Sequence, residues 1–407
     1  MHIKCTNGSP MVNTLDHLPP LPLFVRYHYS RRFASTVEQD ELGIYDALRL
    51  HGRIRHIELD LSYPIWHNVL ALMNENFPIL ERLSFQCPFS LYSVHRDIPP
   101  ALPKAFLAPN LRQLYLFGFG PPKRLRALIS TVSLVTLTLS ITHTSSYFRP
   151  RLLVARLRSL PLLEELAIYF FISIPRPSTE RELLGENRDP ITLPSLKTLW
   201  FKGVGAYLES LVAQIRAPLL EKLTIWLFNQ IALVLPHLFY LINNTKVFKL
   251  FRAYVTFYYH GVSIAVVGQD NRVRMPFLFN VGCMPLDWQI DCSAQICHGL
   301  IPMLSGVEEL SLALNYLSIP TEMRNGAIDN ATWHDLLRPF IAVKKLIISS
   351  GLFDELSRAL QVDEVRSDPS FLPNLQSIHA AGNQFTSFTD SRQAMGRPVQ
   401  VKVELWR

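Results

Sequence analysis

A short apolar motif recurs along the chain and constrains the fold more than any other feature. It reads "APNLRQLYLFG" at 108–118, "LPLLEELAI" at 160–168, "LPSLKTLWF" at 193–201 and "APLLEKLTI" at 217–225. In a strand, residues two apart point to the same side, so the last two apolar residues of each copy should face one core. The proline upstream suits the turn that enters the strand, because proline has no N–H to donate.

The second apolar residue of each copy marks the period of the repeat. Successive markers lie 23 to 36 residues apart, except for a gap of 60 residues between Leu250 and Leu310. That long gap predicts a degenerate copy near 275–281. The full set of markers is Ile57, Leu83, Leu114, Leu137, Leu166, Leu199, Leu223, Leu250, Leu310, Leu346 and Ile378.

The segments between the copies have the apolar spacing of helices. One strand and one helix cannot bury their own apolar faces, so the copies must stack. The sequence therefore predicts an α/β fold, a right-handed solenoid of irregular leucine-rich repeats of the ribonuclease-inhibitor kind. Its parallel sheet should line the concave face, and its helices the convex face. The expected helical faces are Ile65, Val69 and Met73; Leu208, Leu211, Val212 and Ile215; and Leu356, Ala359 and Leu360.

Two regions interrupt the repeat. Residues 175–190 are polar and bounded by prolines, which predicts a loop. Residues 253–279 alternate in polarity and have turn residues at His260-Gly261 and at 269–271, which predicts an inserted hairpin or small meander. The predicted domains are an N-terminal flank (1–49), the solenoid (50–382) with inserted strands at about 253–280, and a C-terminal capping tail (383–407).

Composition and the start of the chain indicate the cellular compartment. Of the 407 residues, 48% are hydrophobic, which is ample for a core. The start of the chain has no apolar segment typical of a secretory signal, and five scattered cysteines suit a reducing compartment. The expected location is therefore cytoplasmic or nuclear. The most apolar run, 225–242, contains polar residues and a proline, so a buried strand and helix is favoured over a membrane span.

The sequence has no recognisable catalytic, cofactor or metal motif. It lacks a P-loop, a GxSxG and an HExxH sequence, and "GVGAYL" at 203–208 lacks the third glycine of a dinucleotide loop. Cys292, Cys297 and His298 have no metal-ligand spacing, which favours a half-buried helix face. His56 and His379 are expected at the surface of strands. We therefore expect no enzyme activity, no cofactor and no metal.

The net charge of +7 is moderate and lies partly in arginine-rich runs. The runs at 123–126 and 149–158 are expected to be solvated helix faces, and no nucleic-acid-binding motif accompanies them. Neither nucleic acid nor membrane is expected as a partner, and a monomer is expected.

Residues that alternate with the motif leucines should face away from the core, into the concave face. Aromatic residues there have two interpretations. Neighbouring strands or a terminal segment cover the rings, or the rings anchor a protein partner, since Trp and Tyr dominate binding hot spots. The candidate partner-binding residues are Tyr115, Phe117, Tyr169, Trp200, Lys202, Lys222 and Trp226.

An ordered set of phrases between the repeats carries a family resemblance. They are "LPPLPLFVRY" (18–27), "DELGIYDALRLHGRIRHIELDL" (40–61), "FPILERLSF" (77–85), "GVSIAV" (261–266), "LDWQIDCSAQICHGLIPMLSGVEELSL" (286–312), "WHDLLRPFIAVKKLIIS" (333–349) and "RQAMGRPVQV" (392–401). Together they resemble the large fungal family of F-box proteins with leucine-rich repeats, over nearly the whole chain.

The resemblance implies a substrate receptor of an SCF-type (Skp1–cullin–F-box) ubiquitin ligase, in which the repeats hold an unknown target protein. Such a receptor supplies no catalytic residues. No F-box is recognised in this sequence, and residues 1–20 resemble the segment on the C-terminal side of that module. Skp1 and cullin are therefore expected partners only with an F-box upstream. The alternative is a non-ligase leucine-rich-repeat scaffold or decoy that lacks Skp1 binding.

Overall fold

The computed structural model describes most of the chain in two compact units. The first unit comprises Met1–Gly203 and Ala213–Leu219, and the second comprises Val204–Val212 and Leu220–Arg407. The described residues are 2–4, 21–28, 37–87, 99–120, 132–171, 190–228, 233–244, 250–268, 276–315, 329–361, 371–380 and 385–403.

The first unit is built on a parallel sheet. Its strands are β1 (His2–Lys4), β2 (Leu23–His28), β3 (Ile54–Asp60), β4 (Arg82–Gln86), β5 (Gln113–Phe117), β6 (Thr136–Ile141), β7 (Glu165–Phe170), β8 (Ile191–Thr192), β9 (Thr198–Gly203) and β10 (Ile215–Arg216). The sheet order is β1-β2-β3-β4-β5-β6-β7-β9, and β8 pairs with β10. The helices are α1 (Val37–Arg49), α2 (Tyr63–Leu72) and α3 (Pro150–Leu157), with 3-10 turns at His51–Arg53 and Thr144–Ser146.

The repeat markers of the first unit are aligned across this sheet, and all are buried. This confirms the predicted register from β3 to β9. The markers alone had not revealed the copy in β2, where Val25 is the partner of Ile57. Successive partners across the sheet are Val25, Ile57, Leu83, Leu114, Leu137, Leu166 and Leu199.

The first leucine of each motif closes the turn that enters the strand. The N–H of Leu111 donates to the carbonyl oxygen of Ala108 at 3.1 Å. The side chain of Asn110 donates to the carbonyl oxygen of Pro78, in the preceding repeat, at 2.7 Å. This turn is therefore hydrogen bonded within itself and to the turn before it.

Helix α2 packs on the leucine side of the sheet. Its Trp66 ring lies 4.7 Å from Phe85 of β4 and 4.8 Å from Phe119, measured between ring centroids. The indole N–H of Trp66 donates to the carbonyl oxygen of Leu61 at 3.0 Å, which satisfies a polar group that would otherwise be buried unpaired. We call the opposite side of the first unit's sheet, which carries the residues that alternate with the motif leucines, the open face.

The second unit has a mixed sheet. Its strands are β11 (Lys222–Leu227), β12 (Leu250–Tyr258), β13 (Gly261–Gly268), β14 (Phe277–Gly282), β15 (Glu309–Leu314), β16 (Lys345–Ile348), β17 (Ser377–Ala380) and β18 (Gln400–Val403), in the order β11-β14-β13-β12-β15-β16-β17-β18. Its helices are α4 (Gly205–Val212), α5 (Pro236–Asn243), α6 (Leu286–Gly299), α7 (Ile301–Leu304), α8 (Asn330–Leu337), α9 (Phe353–Leu360) and α10 (Thr386–Ala394), with a 3-10 turn at Ser350–Leu352.

Antiparallel pairing in the second unit is confined, among the described strands, to the region where inserted strands were predicted. Strand β13 pairs antiparallel with both β12 and β14, and the turn at His260-Gly261 joins the first two strands. Strand β14 lies where the degenerate copy was predicted and pairs parallel with β11. The predicted turn at 269–271 and the predicted loop at 175–190, apart from Pro190, lie outside the described residues.

The predicted marker Leu250 is wrong by three residues. Ala253, not Leu250, is the partner of Leu310 in β15, while Leu250 lies opposite Gly268 before a bulge. The inward residues of β12 are Ala253, Val255 and Phe257, all fully buried. A small alanine in the place of the motif leucine concealed the register. Further along the sheet, Leu310, Leu346, Ile378 and Val401 are aligned as partners.

Three smaller expectations are also settled by the structure. Ile215 is buried but lies in β10, where it pairs with Ile191, because α4 ends at Val212. His379, on β17, is buried and not at the surface, which corrects the expectation. Residues 225–242 include part of β11 and most of α5, and in the described part of the chain no helix has the length and apolarity to cross a membrane.

The architecture in both units is the α/β leucine-rich-repeat fold that the motif predicts. Parallel strands carry the motif leucines in register, and in the described part of the chain helices connect many of them. Proline lies in the first turn of several helices, as Pro64 does in α2 and Pro236 in α5, because the first helical N–H groups have no partner within the helix. The division into 1–49, 50–382 and 383–407 stays a prediction.

Candidate functional site

Side chains on the open face form rows that run across the strands, because the strands are parallel and in register. Neighbouring residues in a row are about 4.8 Å apart, the spacing of strands in a sheet. The entry row is His56, Arg82, Gln113, Thr136, Glu165 and Thr198; the middle row is Glu58, Ser84, Tyr115, Thr138, Ala167 and Trp200; and the exit row is Asp60, Gln86, Phe117, Ser140, Tyr169 and Lys202.

Five of the predicted partner-binding residues lie in the middle and exit rows, together with one residue that was not predicted. Phe171, which follows β7, is 48% exposed, and its ring centroid lies 5.4 Å from that of Phe117 in an edge-on contact. The Nζ of Lys202 lies 4.6 Å from the same ring, within the range of a cation–π interaction. We call this set the aromatic patch; it consists of Tyr115, Phe117, Tyr169, Phe171, Trp200 and Lys202.

The two tyrosines of the aromatic patch are half-buried and interact with each other. Burial raises the pKa of Tyr115; a hydrogen bond with Ser140 opposes this shift, and the charge of Asp60 adds to it. Burial also raises the pKa of Tyr169, with a further contribution from Tyr115. Both phenols are therefore neutral at pH 7. Each offers an apolar ring together with a polar group that can form hydrogen bonds with a partner.

Small residues beside the aromatic patch are buried although they lie on the open face. Ser140 is 3% exposed and Ala167 is 8% exposed. Other side chains must therefore cover them. The rings of the patch are themselves only partly exposed, which agrees with the first interpretation, in which neighbouring strands cover them. That the rings anchor a protein partner stays a prediction.

Charged side chains flank the aromatic patch on β2 and β3. Arg26 forms an ion pair with Glu58 at 2.7 Å, and His28 lies 3.8 Å from the same carboxylate. In the exit row, the Oδ1 atom of Asp60 is buried and has no hydrogen-bond partner in the described part of the chain. Burial raises the pKa of Asp60, opposed by the nearby His28.

Lys222 and Trp226, the other two predicted partner-binding residues, lie on β11 in the second unit. They alternate with the buried Leu223 and Ile225, so they lie on the side of their sheet predicted from the motif. Trp226 is 50% exposed, and Lys222 is half-buried.

The cysteines of the second unit are packed in its interior. Cys292 and Cys297 of α6 are both buried, and Cys292 forms a hydrogen bond with Cys283, a contact that the sequence did not predict. His298 is exposed. Among the described residues, no group of three or more His, Cys, Asp or Glu side chains is arranged to hold a metal ion.

The first glycine of "GVGAYL", Gly203, has a packing role. A Cβ added to Gly203 would lie 2.8 Å from the ring of Phe201 and 2.9 Å from that of Phe170.

The arginines at 149–158 lie in part on a solvated helix face, as predicted. Arg151 of α3 and Arg158, which follows it, are exposed. The basic run at 123–126 lies outside the described residues.

Comparison with known proteins yields structural similarity alone. No protein-family model matches this chain, and no curated protein matches its sequence. LegL7, a leucine-rich-repeat-containing protein from Legionella pneumophila, is 12% identical, with 98% of each chain covered and a TM-score of 0.31. The TLR13–ssRNA13 complex is 12% identical, with 99% of this chain and 49% of that chain covered and a TM-score of 0.34. At these values, neither similarity says what this chain binds.

Proposed function

We propose that the chain is a non-enzymatic recognition module that binds a protein partner through the aromatic patch. The observation that carries this proposal is the position of four aromatic residues in two adjacent rows of a hydrogen-bonded sheet. A rigid sheet holds the rings in place before binding, so less conformational entropy is lost on association. Trp and Tyr are the residues that most often dominate binding energy. We propose that Lys222 and Trp226 also contact the partner, from the second unit.

Trp200 tests this proposal directly, since its side chain is large and lies in the middle row. Replacing Trp200 with Ala should weaken binding of the partner by about 2 kcal/mol or more, roughly a 30-fold rise in Kd. The experiment is affinity capture from a cell extract with the parent chain. The Kd of each captured protein is then measured for the parent chain and for Trp200→Ala.

Trp288 is the matched control, because it is an exposed tryptophan of α6 in the second unit. Trp288→Ala should leave Kd unchanged, and thermal melts should show that both variants stay folded. If every captured protein binds Trp200→Ala as tightly as the parent chain, the aromatic patch is not the recognition surface.

We further propose that the bound protein is a substrate for ubiquitin transfer, as the resemblance to F-box proteins with leucine-rich repeats implies. The support is the ordered set of phrases between the repeats, from "LPPLPLFVRY" to "RQAMGRPVQV". Co-purification with Skp1 and a cullin is the test. Recovery of both would support the ligase role, whereas recovery of a partner protein without either would favour the non-ligase scaffold or decoy. The recognition proposal itself stands in both cases.

A further inference from the structure

A basic cavity lies where the strands of the first unit begin, in the same repeats as the open face. Its volume is about 420 Å³, and it is lined by Arg55, His56, Glu81, Arg82, Arg112, Gln113 and Val135. These residues come from the entrances to β3, β4, β5 and β6. Backbone hydrogen bonds hold the entrances together: the N–H of Glu81 donates to Arg55 and the N–H of Arg112 donates to Glu81, each at 2.8 Å.

The charges around this cavity are unbalanced. Arg55 forms an ion pair with Glu81 at 2.8 Å, and its hydrogen bond lowers the pKa of Glu81. Burial lowers the pKa of His56, and the charges of Arg55 and Arg82 lower it further, against the opposing effect of Glu81. His56 is therefore neutral at pH 7. Three guanidinium groups and one carboxylate leave a net charge of two positives.

Two of the guanidinium groups carry this surplus. Arg82 and Arg112 are exposed, and neither forms an ion pair with a carboxylate within the part of the chain that the structure describes. They lie at the entrances to β4 and β5, which are adjacent strands. A guanidinium presents its N–H groups as a planar fork that matches the oxygens of phosphate and carboxylate groups, and phosphate accepts such pairs from several directions.

We propose that this cavity binds a phosphate monoester group. A phosphate monoester carries a charge of about −1.5 to −2 at pH 7, which matches the surplus of the cavity. The volume lies in the range of small-ligand sites, about 300–1,000 Å³, so part of the group that bears the phosphate also fits. The phosphate belongs either to a free small molecule or to a phosphorylated side chain of a protein. The site is separate from the aromatic patch and does not depend on the proposed recognition function.

Titration calorimetry with small probes tests the site without knowledge of a partner. The probes are the capped tripeptide Gly-phosphoserine-Gly, its unphosphorylated form, glycerol 3-phosphate and inorganic phosphate. We expect binding of the phosphate-bearing probes and none of the unphosphorylated peptide. Tighter binding of the phosphopeptide indicates a protein-borne group, and tighter binding of glycerol 3-phosphate indicates a free small molecule. Failure of every phosphate-bearing probe to bind more tightly than the unphosphorylated peptide would overturn the proposal.

Charge variants then locate the site. Arg82→Gln and Arg112→Gln should each weaken binding by about tenfold or more, through loss of a charge-assisted hydrogen bond. Glu81→Gln should strengthen binding, because it removes the carboxylate that competes for the arginines. If these residues had only a structural role, their replacement would not change Kd in opposite directions. Arg158→Gln, an exposed arginine that follows α3, is the matched control and should have no effect. Equal Kd values for all four variants would overturn the proposal even if the probes bind.

Discussion

At the scale of single residues, Asp60 is a side chain of the open face with unfavourable surroundings. Its Oδ1 is buried without a hydrogen-bond partner among the described residues, and burial raises its pKa from the ordinary value of 3.8. A carboxyl group whose pKa is raised by folding binds its proton more tightly in the folded protein than in the unfolded chain. The protonated group therefore stabilises the folded protein at a pH below its pKa in the unfolded chain. This stabilisation is lost as the pH rises through its pKa in the folded protein.

Asp60→Asn should therefore increase the free energy of unfolding at pH 7, because the amide stays neutral. The increase should be less than about 1 kcal/mol, since Asp60 is only half-buried and solvent screens its charge. The difference from the parent chain should shrink as the pH falls toward 4 and Asp60 becomes protonated. Thermal or urea melts between pH 4 and pH 7 measure this. Asp335→Asn, at an exposed aspartate of α8, controls for the chemical change; a destabilised Asp60→Asn at pH 7 would contradict the prediction.

At the scale of elements, the strand is stabilised mainly by its motif leucines. Leu166 of β7 is fully buried between Leu137 and Leu199 of the neighbouring strands. Leu166→Ala should lower the free energy of unfolding by about 2–5 kcal/mol through lost burial and a residual cavity. Leu162, in the same repeat but 52% exposed, is the matched control. Denaturant unfolding curves for the two alanine variants should differ clearly, and equal midpoints would refute the role of Leu166.

Helix α5 depends on a carboxylate that comes from another helix. Glu209 of α4 is buried; its Oε1 accepts the N–H of Leu238 at 2.8 Å, and its Oε2 accepts the N–H of His237 at 3.0 Å. An anion that accepts hydrogen bonds at a helix N-terminus satisfies unpaired N–H groups and interacts favourably with the helix dipole.

Glu209→Gln should lower the free energy of unfolding by about 1–2 kcal/mol, because a neutral amide replaces the charged acceptor and brings an N–H₂ group to the donors. Urea unfolding measures the effect. Glu221→Gln, at an exposed glutamate, should change stability by less than about 0.5 kcal/mol. If the two variants have the same midpoint of urea unfolding, Glu209 has no capping role.

These elements show what the sequence predicts and where prediction fails. The leucine spacing predicts the register from β3 to β9, because burial of the motif is a local property of each repeat. It fails at β12, where Ala253 occupies a leucine position. The capping by Glu209 and the contact between Cys283 and Cys292 were missed, since they depend on packing between separate elements of the chain. Phe171 had only a weak signal, the second of two phenylalanines at the end of β7.

The motif analysis also did not predict the basic cavity, because its arginines come together only through the packing of separate repeats. Arg55, Arg82 and Arg112 come from three different repeats, and Arg82 and Arg112 have no basic neighbours in the sequence. They converge because the entrances to neighbouring strands lie side by side. Comparing the first residues of each strand, and the residue just before it, between neighbouring repeats would have found them.

At the scale of the whole molecule, stability should vary along each sheet. Interior strands such as β5 and β6 have a strand on either side, whereas β1 and β18 lie at the ends of the described sheets. An amide hydrogen exchanges when the structure around it opens. The free energy of that opening ranges from near zero at frayed ends to the free energy of global unfolding in the core. Hydrogen exchange followed by mass spectrometry should therefore show slow exchange in peptides covering 113–117 and 136–141, and fast exchange in those covering 2–4 and 400–403. Uniform rates would contradict this.

The rows of the open face have a consequence for how such a chain can diverge. Neighbours in a row come from separate repeats, as Tyr115 and Thr138 do, so each can change identity without disturbing the buried leucines. Gain or loss of a whole repeat would shift every later residue of the row by one strand spacing, about 4.8 Å, and keep the core intact. Loss of part of a repeat would instead remove its buried leucines. Duplication in whole units and substitution at alternate positions are thus the two routes by which new specificity can arise on this surface.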